Sequence, residues 1–192
     1  MDRQDFHRAT RGAPPHPSLM QALEHWHCAP GLALDLGCGS GRDTHELLRQ
    51  GWRVLAIDSN AAGLRHLTEG LSTGQAERLR TRCERFQDTA LPNAQLINSS
   101  FALPFCPPAD FPRLWQGIEA ALGRGGLFAG HFFGERDQWQ GRDGMSFHTR
   151  EAAQALFQGW ETLHFEEHEW QGKTAVGGIK HWHIFAVVAR RP

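Results

Sequence analysis

The sequence predicts an α/β protein with a doubly wound, mostly parallel seven-stranded sheet that ends in an antiparallel hairpin. Strand-like and helical segments alternate along the chain, which is typical of a parallel sheet with helices on both faces. Only a short link, residues 172–180, separates the last two strands, so we expect them to pair antiparallel. The predicted strands are 31–36, 52–58, about 81–87, 94–99, 126–133, 162–170 and 181–189.

We expect residues 1–17 to form an extended arm and residues 18–192 to form a single domain. The arm is polar and ends in the proline-rich run 11–17, where prolines disfavour helix. A helix is then predicted to begin at Ser18, whose hydroxyl can cap it. The composition stays uniform along the rest of the chain and gives no reason to expect a second domain.

The later elements are predicted from their end signals. A helix at about 42–50 should end at Gly51, a residue type favoured just past a helix C-terminus. Thr149 is the predicted N-cap of a helix over about 150–158. The hairpin then returns residues 180–183 to the carboxyl edge of the sheet, where open α/β folds bind ligands.

The bulk composition favours a small-molecule partner. Of 192 residues, 40% are hydrophobic, and 20 basic residues nearly balance 21 acidic ones. This balance gives no electrostatic reason to expect a nucleic acid or an anionic membrane as partner. The four cysteines lack C-x-x-C spacing, and no signal peptide or membrane span is evident, so we expect a reduced, cytoplasmic protein.

The most informative segment is Asp35-Leu36-Gly37-Cys38-Gly39-Ser40-Gly41-Arg42, in which a strand runs into three alternate glycines. Glycine takes positive φ without strain and lets a ligand approach the main chain, while the next helix offers its N-terminal N–H groups. Arg42 stands where the dinucleotide fingerprint has its third glycine, which argues against NAD. Asp35 precedes the glycines, where a carboxylate suits the cationic end of a ligand and would repel a pyrophosphate.

Residues 35–41, followed by Ala-Ile-Asp at 56–58, resemble the first two motifs of class I S-adenosylmethionine-dependent methyltransferases. The order of elements from residue 18 onward, including the terminal hairpin, is similar to that fold. Gly-Arg-Asp-Thr at 41–44 and the run 51–58 are similar to the branch that contains tellurite-resistance and thiopurine methyltransferase-like proteins. The resemblance implies S-adenosylmethionine as cofactor and S-adenosylhomocysteine as product.

The resemblance also implies a role for several positions around the methyl donor. The stretch Asn98-Ser99-Ser100-Phe101, at the end of the fourth strand, would face the sulfonium and the acceptor. The residues implied around the methionine portion of the cofactor are Asp35, Gly37, Cys38, Gly39 and Gly41.

A second acid supports a nucleoside at this edge. Asp58 ends the second strand about 20 residues after the first glycine, which suits an acid that accepts hydrogen bonds from ribose hydroxyls. By the resemblance, Ser59 and Asn60 would flank the adenosine. Gln87 or Asp88 would lie near the adenine amine.

The acceptor is expected to be a small molecule, with a chalcogen oxyanion or a thiol as candidates. Methyl transfer from a sulfonium is an in-line displacement, so the protein chiefly holds the nucleophile close, aligned and in its reactive protonation state. His131, near the end of the fifth strand, is the candidate catalytic residue. Arg11 in the arm and Lys180 in the last strand are candidate substrate contacts. Other polar residues expected at this edge are Glu135, Asp137 and His148.

Metal binding and nucleic-acid binding are not expected. His181 and His183 project to one face of a strand, but no cysteine or carboxylate stands at metal-ligand spacing beside them. Residues 98–101 have the outline of the Asn-Pro-Pro-Tyr/Phe motif of amino-directed nucleic-acid methyltransferases, yet both prolines are missing. The alternatives that stay open are a nicotinamide-dependent oxidoreductase, an amino-directed methyltransferase on a larger substrate, and a cofactor-binding protein without transferase activity.

Overall fold

The computed structural model describes residues 12–175 and 177–192, and it builds them around a mixed eight-stranded sheet. The strands are β1 (Leu32–Leu36), β2 (Arg53–Asp58), β3 (Leu79–Cys83), β4 (Ala94–Ser99), β5 (Leu122–Gly134), β6 (Phe147–His148), β7 (Glu161–Lys173) and β8 (Ile179–Arg190). The helices are α1 (Pro17–Glu24), α2 (Arg42–Arg49), α3 (Ala61–Thr68), α4 (Thr73–Arg78), α5 (Phe111–Ala121) and α6 (Arg150–Ala155). Short 3-10 helices cover Phe86–Asp88 and Leu103–Phe105.

The sheet order is β3-β2-β1-β4-β5-β8-β7, which confirms the predicted fold class. Strands β1 to β5 run parallel, and β8 pairs antiparallel with both β5 and β7. The short strand β6 was not predicted; it pairs through only two residues with the end of β5. Because the chain steps outward from β1 to β3 and then returns to β4, the carboxyl ends of β1 and β4 lie side by side. A crevice at such a switch point is where open α/β sheets bind ligands.

Two apolar layers cover the sheet. Alternate residues of β1 point to opposite layers: Leu34 and Leu36 pack with α5 on one face, and Ala33 packs with α1 and α2 on the other. Asp35 follows the same alternation, so its side chain points to the layer of α1 and α2. The strand pattern therefore aims a carboxylate at the start of α2.

The predicted third strand was wrong in its position. Strand β3 covers residues 79–83, and its last residue, Cys83, pairs level with Asp58 at the end of β2. Beyond that level β2 offers no further partner, and the chain turns into the 3-10 helix at 86–88. Phe86 and Gln87, which the prediction placed at the end of the strand, therefore lie in this turn.

The predicted start of the first helix was also wrong. Helix α1 begins at Pro17 with His16 as its N-cap, because proline fits the first turn, where its missing N–H is not needed. The Ser18 hydroxyl does not cap the helix; it is buried without a hydrogen-bond partner in the described part of the chain.

Two predicted end signals are confirmed. The Thr149 hydroxyl accepts a hydrogen bond from the Ala152 N–H at 3.1 Å and caps α6, although the helix is shorter than predicted. Gly51 follows α2 with φ +88°, the left-handed conformation that glycine adopts readily. In the described ranges, no helix is long and apolar enough to cross a membrane.

The loop after β5 is fastened to the start of β8. The Gln138 N–H donates to the His181 carbonyl at 3.0 Å, and the His181 N–H donates back to Gln138 Oε1 at 2.8 Å. The His183 N–H donates to Asp137 Oδ2 at 3.1 Å. These bonds hold the loop beside the hairpin at the carboxyl edge.

A buried ion pair lies inside this junction. Lys180, 2% exposed, donates from Nζ to Asp137 Oδ1, and Asp137 is also 2% exposed. The rings of Phe133, Trp139 and Trp182 have their centroids 4.7, 3.8 and 4.0 Å from Nζ, a cation–π arrangement that we call the lysine cage. Burial lowers the pKa of Lys180, and the bond to Asp137 opposes that shift. This placement favours a structural role for Lys180 over the expected contact with a substrate.

Asp137→Ala should lower the free energy of unfolding by about 3–5 kcal/mol, because it leaves the Lys180 ammonium buried without its counter-charge. Chemical denaturation measures the change. Glu161→Ala is the matched control: it removes the exposed partner of Arg190 on the same hairpin and should cost about 1 kcal/mol or less. Equal losses in the two variants would contradict the structural role of the buried pair.

Candidate functional site

The glycine turn has the backbone conformation that its sequence predicts. Gly37, Gly39 and Gly41 have φ of +73°, +55° and +90°. A Cβ on Gly37 would lie 2.2 Å from the Ala102 Cβ, and one on Gly41 would lie 2.2 Å from Leu67 Cδ1. Both the conformation and the close packing therefore require glycine at 37 and 41.

Two buried carboxylates meet where this turn enters α2. Asp35 is the register partner of Asn98, so β1 and β4 place the two side chains together. The Asn98 amide Nδ2 donates to Asp35 Oδ1 at 2.9 Å and to Asp43 Oδ2 at 3.0 Å. Thr44 Oγ1 donates to Asp35 Oδ2 at 2.5 Å. One amide thus uses both of its hydrogens to join two acids.

The electrostatic state of Asp35 follows from this geometry. Burial and the nearby Asp43 carboxylate raise the pKa of Asp35 to about 7, against the opposing hydrogen bonds from Thr44 and Asn98. A cationic group placed beside the two acids would offset their repulsion. The pair therefore suits the positively charged end of a ligand.

Asp58 ties the end of β2 to the glycine turn. Its Oδ2 accepts from the Gly39 N–H and its Oδ1 from the Asn60 N–H, both at 2.8 Å. Each carboxylate oxygen has a second lone pair, so Asp58 can still accept hydrogen bonds from a ribose. Ser59 lies exposed directly after it, and the Asn60 side chain caps α3.

A cavity of about 60 Å³ opens over the turn and the acid pair. The residues lining it are His16, Asp35, Gly37, Cys38, Gly39, Ser40, Arg42, Asp43 and Ser100. Four of the residues expected around the methionine portion are in this set, and Gly41 lies just behind them as the N-cap of α2.

Sequence reasoning missed the residues that close the cavity from above. The His16 N–H donates to Asp43 Oδ1 at 2.8 Å, and Arg42 Nη1 lies 2.8 Å from His16 Nε2. Arg42 Nε also donates to the Pro14 carbonyl, so residues 14–16 cross the start of α2 as a strap. The burial of Asp43 could have been predicted, because it stands four residues before Leu47 and so lies on the same buried helix face. The composition of the proline-rich run gave none for His16.

His131 lies beneath the strap beside the end of β4. It is 4% exposed, its ring stacks on Phe101 with centroids 4.2 Å apart, and the His16 ring lies 5.5 Å away. Its Nδ1 has no hydrogen-bond partner among the described residues. Burial first, and then the charges of His16, His168 and Arg42, lower the pKa of His131 well below its usual value. Phe101 has a φ of +54°, a strained value for a residue with a side chain.

Other expected site residues lie apart from the cavity. Ser99 Oγ donates to the Leu36 carbonyl at 3.0 Å, so its hydroxyl serves the β1–β4 junction. Gln87 lies buried in the 3-10 helix after β3, and Lys180 lies in the lysine cage. Arg11 falls outside the described residues.

Potential metal ligands do not cluster in the ranges 12–175 and 177–192, where no group of three or more suitable side chains is found. His181 Nε2 lies 2.8 Å from Glu169 Oε1, and His183 Nε2 lies 2.8 Å from Glu167 Oε1. The two histidines are thus engaged by separate carboxylates.

Residues 33–126 match the protein family described as methyltransferase domain. The matched stretch contains the glycine turn, both acids of the buried pair, Asp58 and all of β4. This part of the chain therefore carries a methyltransferase domain. The site fits S-adenosylmethionine, because positive-φ glycines admit its backbone, the acid pair suits its cationic end and Asp58 suits its ribose.

Solved structures share the fold of this chain. TehB from Haemophilus influenzae has a TM-score of 0.80 and 18% identity, over 97% of this chain and 66% of that one. A 1,6-didemethyltoxoflavin-N1-methyltransferase from Burkholderia thailandensis, with 1,6-didemethyltoxoflavin and S-adenosylhomocysteine bound, has a TM-score of 0.69 and 20% identity, over 98% and 86%. At these identities the likeness shows the fold alone.

One curated relative matches a shorter stretch. Ribosomal RNA small subunit methyltransferase C from Alcanivorax borkumensis is 40% identical over 55 residues, 28% of this chain. The match spans 17% of the length of that relative, and this chain spans 66% of the TehB chain. The likenesses therefore leave the acceptor to be inferred from the site.

The affinity for S-adenosylhomocysteine should rise about tenfold between about pH 6 and pH 8. The pKa of Asp35 is raised to about 7, so its carboxylate becomes available to the ligand ammonium only as the pH passes that value. Calorimetry at several pH values measures the change. Asp35→Asn should flatten the profile, whereas Asn at the exposed Asp143 should not; identical profiles for the wild type and Asp35→Asn would contradict the assignment.

Asp58→Ala should weaken S-adenosylhomocysteine binding by about 1.5–3 kcal/mol for each ribose hydrogen bond lost, since the acceptor is charged. Titration calorimetry against both S-adenosylhomocysteine and NAD measures it. Glu77→Ala, at an exposed acid on α4, serves as the control. Unchanged affinity in Asp58→Ala, or tighter binding of NAD by the wild type, would refute the ribose assignment.

Proposed function

We propose that this chain transfers a methyl group from S-adenosylmethionine to a small molecule whose reacting atom belongs to a chalcogen oxyanion or a thiol. The bound cofactor supplies an electrophilic methyl on a sulfonium, and the lone pair of the acceptor takes it as the carbon–sulfur bond breaks and S-adenosylhomocysteine leaves. The task of the chain is to hold the acceptor in line.

The observation that carries this proposal is the weak basicity of the two imidazoles beside the cavity, His16 and His131. Burial lowers the pKa of His16 to about 4 and that of His131 well below its usual value. Asp35, whose pKa is raised to about 7, is assigned to the ammonium end of the cofactor and not to the acceptor. A weak base removes a proton poorly from a hydroxyl or an ammonium, so an acceptor that is already anionic fits best.

The surface charges support a small acceptor. The arginines near β3 are engaged within the chain: Arg82 donates to the Ala90 carbonyl, and Arg85 pairs with Asp88 and Asp110 at 3.3 Å. The name of the Burkholderia relative records a small-molecule acceptor for that protein. We therefore propose neither a nucleic-acid substrate nor a metal.

We also propose a domain boundary and a role for the arm. Residues 18–192 act as one domain, and Arg11 of the arm remains a predicted contact for an anionic acceptor. His131 acts by contact with the acceptor, with at most modest assistance as a base.

A panel of acceptors should separate the substrate classes. Selenite, tellurite and low-molecular-weight thiols should release S-adenosylhomocysteine, whereas alcohols and amines should not. For a thiol, kcat/KM should rise with pH along the ionisation of the thiol itself, because no group of the protein takes its proton. His131→Gln should keep that pH slope.

Asp58→Ala, with weakened cofactor binding, gives the background rate in the same assay. Turnover of an amine or alcohol, with a pH profile set by a protein group and abolished in His131→Gln, would overturn the proposed acceptor class. Release of S-adenosylhomocysteine with none of the chalcogen or thiol acceptors would do the same.

A further inference from the structure

We infer that His16 and His131 form a neutral two-donor subsite that binds an oxygen atom of the methyl acceptor. Three rings meet beside the cofactor cavity: Phe101 lies 5.1 Å from His16 and 4.2 Å from His131, and the two imidazoles are 5.5 Å apart. They come from the strap, the end of β4 and β5. The inference rests on the proposed function of this site and names how the acceptor is held.

Arg42 fixes the tautomer of His16. A guanidinium is always charged and only donates hydrogen bonds, so the contact of 2.8 Å from Arg42 Nη1 requires His16 Nε2 to accept. The single proton of the neutral ring is then on Nδ1. A charged imidazolium would place an N–H against the guanidinium, and burial opposes it further. His16 therefore presents an Nδ1–H donor.

His131 presents its donor from the other nitrogen. Its Nδ1 is buried without a partner among the described residues, so a proton there would be a donor with no acceptor. The tautomer with Nε2–H avoids that loss and makes Nε2 the donor of this ring. Burial opposes the charged form first, and the charges of His16, His168 and Arg42 oppose it further.

Neutral donors suit an acceptor beside a sulfonium. A positive imidazolium would repel the positive charge of the methyl donor, whereas an N–H of a neutral ring binds an anionic oxygen without that repulsion. The subsite therefore favours acceptors in which oxygen is bonded to the reacting atom or lies next to it. A simple alkyl thiol has no such oxygen, and its sulfur accepts hydrogen bonds more weakly, so oxyanions should be the better acceptors.

Nitrogen-15 NMR of the labelled complex with S-adenosylhomocysteine tests the tautomers without turnover. We expect His16 to be protonated on Nδ1 and His131 on Nε2, and both rings to stay neutral between about pH 6 and pH 8. Inorganic selenite should shift both N–H signals. A proton on His16 Nε2, or no response of either ring to selenite, would overturn the inference.

Matched variants test the two donors in the assay. His16→Phe and His131→Phe keep a ring against Phe101 but lose the donor, and each should raise the acceptor KM roughly tenfold or more. His16→Asn places an amide nitrogen near the Nδ1 position, and His131→Gln places one near Nε2, so each should stay within about threefold of the wild type. The Kd of S-adenosylhomocysteine should change less than about threefold in the two His131 variants.

The converse pattern, with His16→Gln and His131→Asn as the better replacements, would refute the assigned tautomers. A KM unchanged in both phenylalanine variants would show that the imidazoles only pack. Failure of the proposed function gives a different result: no acceptor in the panel is methylated, while selenite still shifts both imidazole N–H signals in the product complex.

Discussion

The amide of Asn98 is the contact on which the site depends. It joins two buried carboxylates that come from different elements, Asp35 at the end of β1 and Asp43 in the first turn of α2. Both acids are buried and have lost their hydration, so without a shared donor their mutual repulsion would be uncompensated. Asp43 in turn holds the His16 N–H, so one side chain on β4 indirectly orders the glycine turn, the start of α2 and the strap. The same hydrogen bonds therefore hold the elements together at the switch point of the sheet and stabilise the two buried acids.

Local patterns in the sequence predicted the strands, the helices and the conformation of the glycine turn, because neighbouring residues decide these features. The alternation of strands and helices predicted the sheet, and the confirmed φ values of Gly37, Gly39 and Gly41 follow from residue type. The partners of Asp35 were not predicted, because strand register and the angle at which α2 leaves the turn decide them. The end of β3 was misplaced for a similar reason: the length of its neighbour β2 limits the pairing, and the residues of β3 itself do not reveal that limit.

Two aromatic rings of the lysine cage also pack against the site. Trp182 and Phe133, two of its rings, also contact Phe101 at centroid distances of 6.0 and 6.5 Å. A residue with φ +54° persists only where its surroundings hold it, and here Phe101 packs against these two rings and stacks on His131. The sequence predicted Lys180 at the correct edge of the sheet. Its partner Asp137 lies on a loop whose path no local pattern reveals, so the burial of the ammonium could not be foreseen.

The strap has a consequence for access to the cavity. His16 lines the cavity, and its main-chain N–H is bonded to Asp43, so lifting the strap uncovers the cavity and breaks that bond in one event. Local openings of this kind have their own free energy, which is separate from that of global unfolding. Access to the cavity therefore depends partly on a few residues before α1, and hydrogen exchange of the His16 amide proton would report on the same opening.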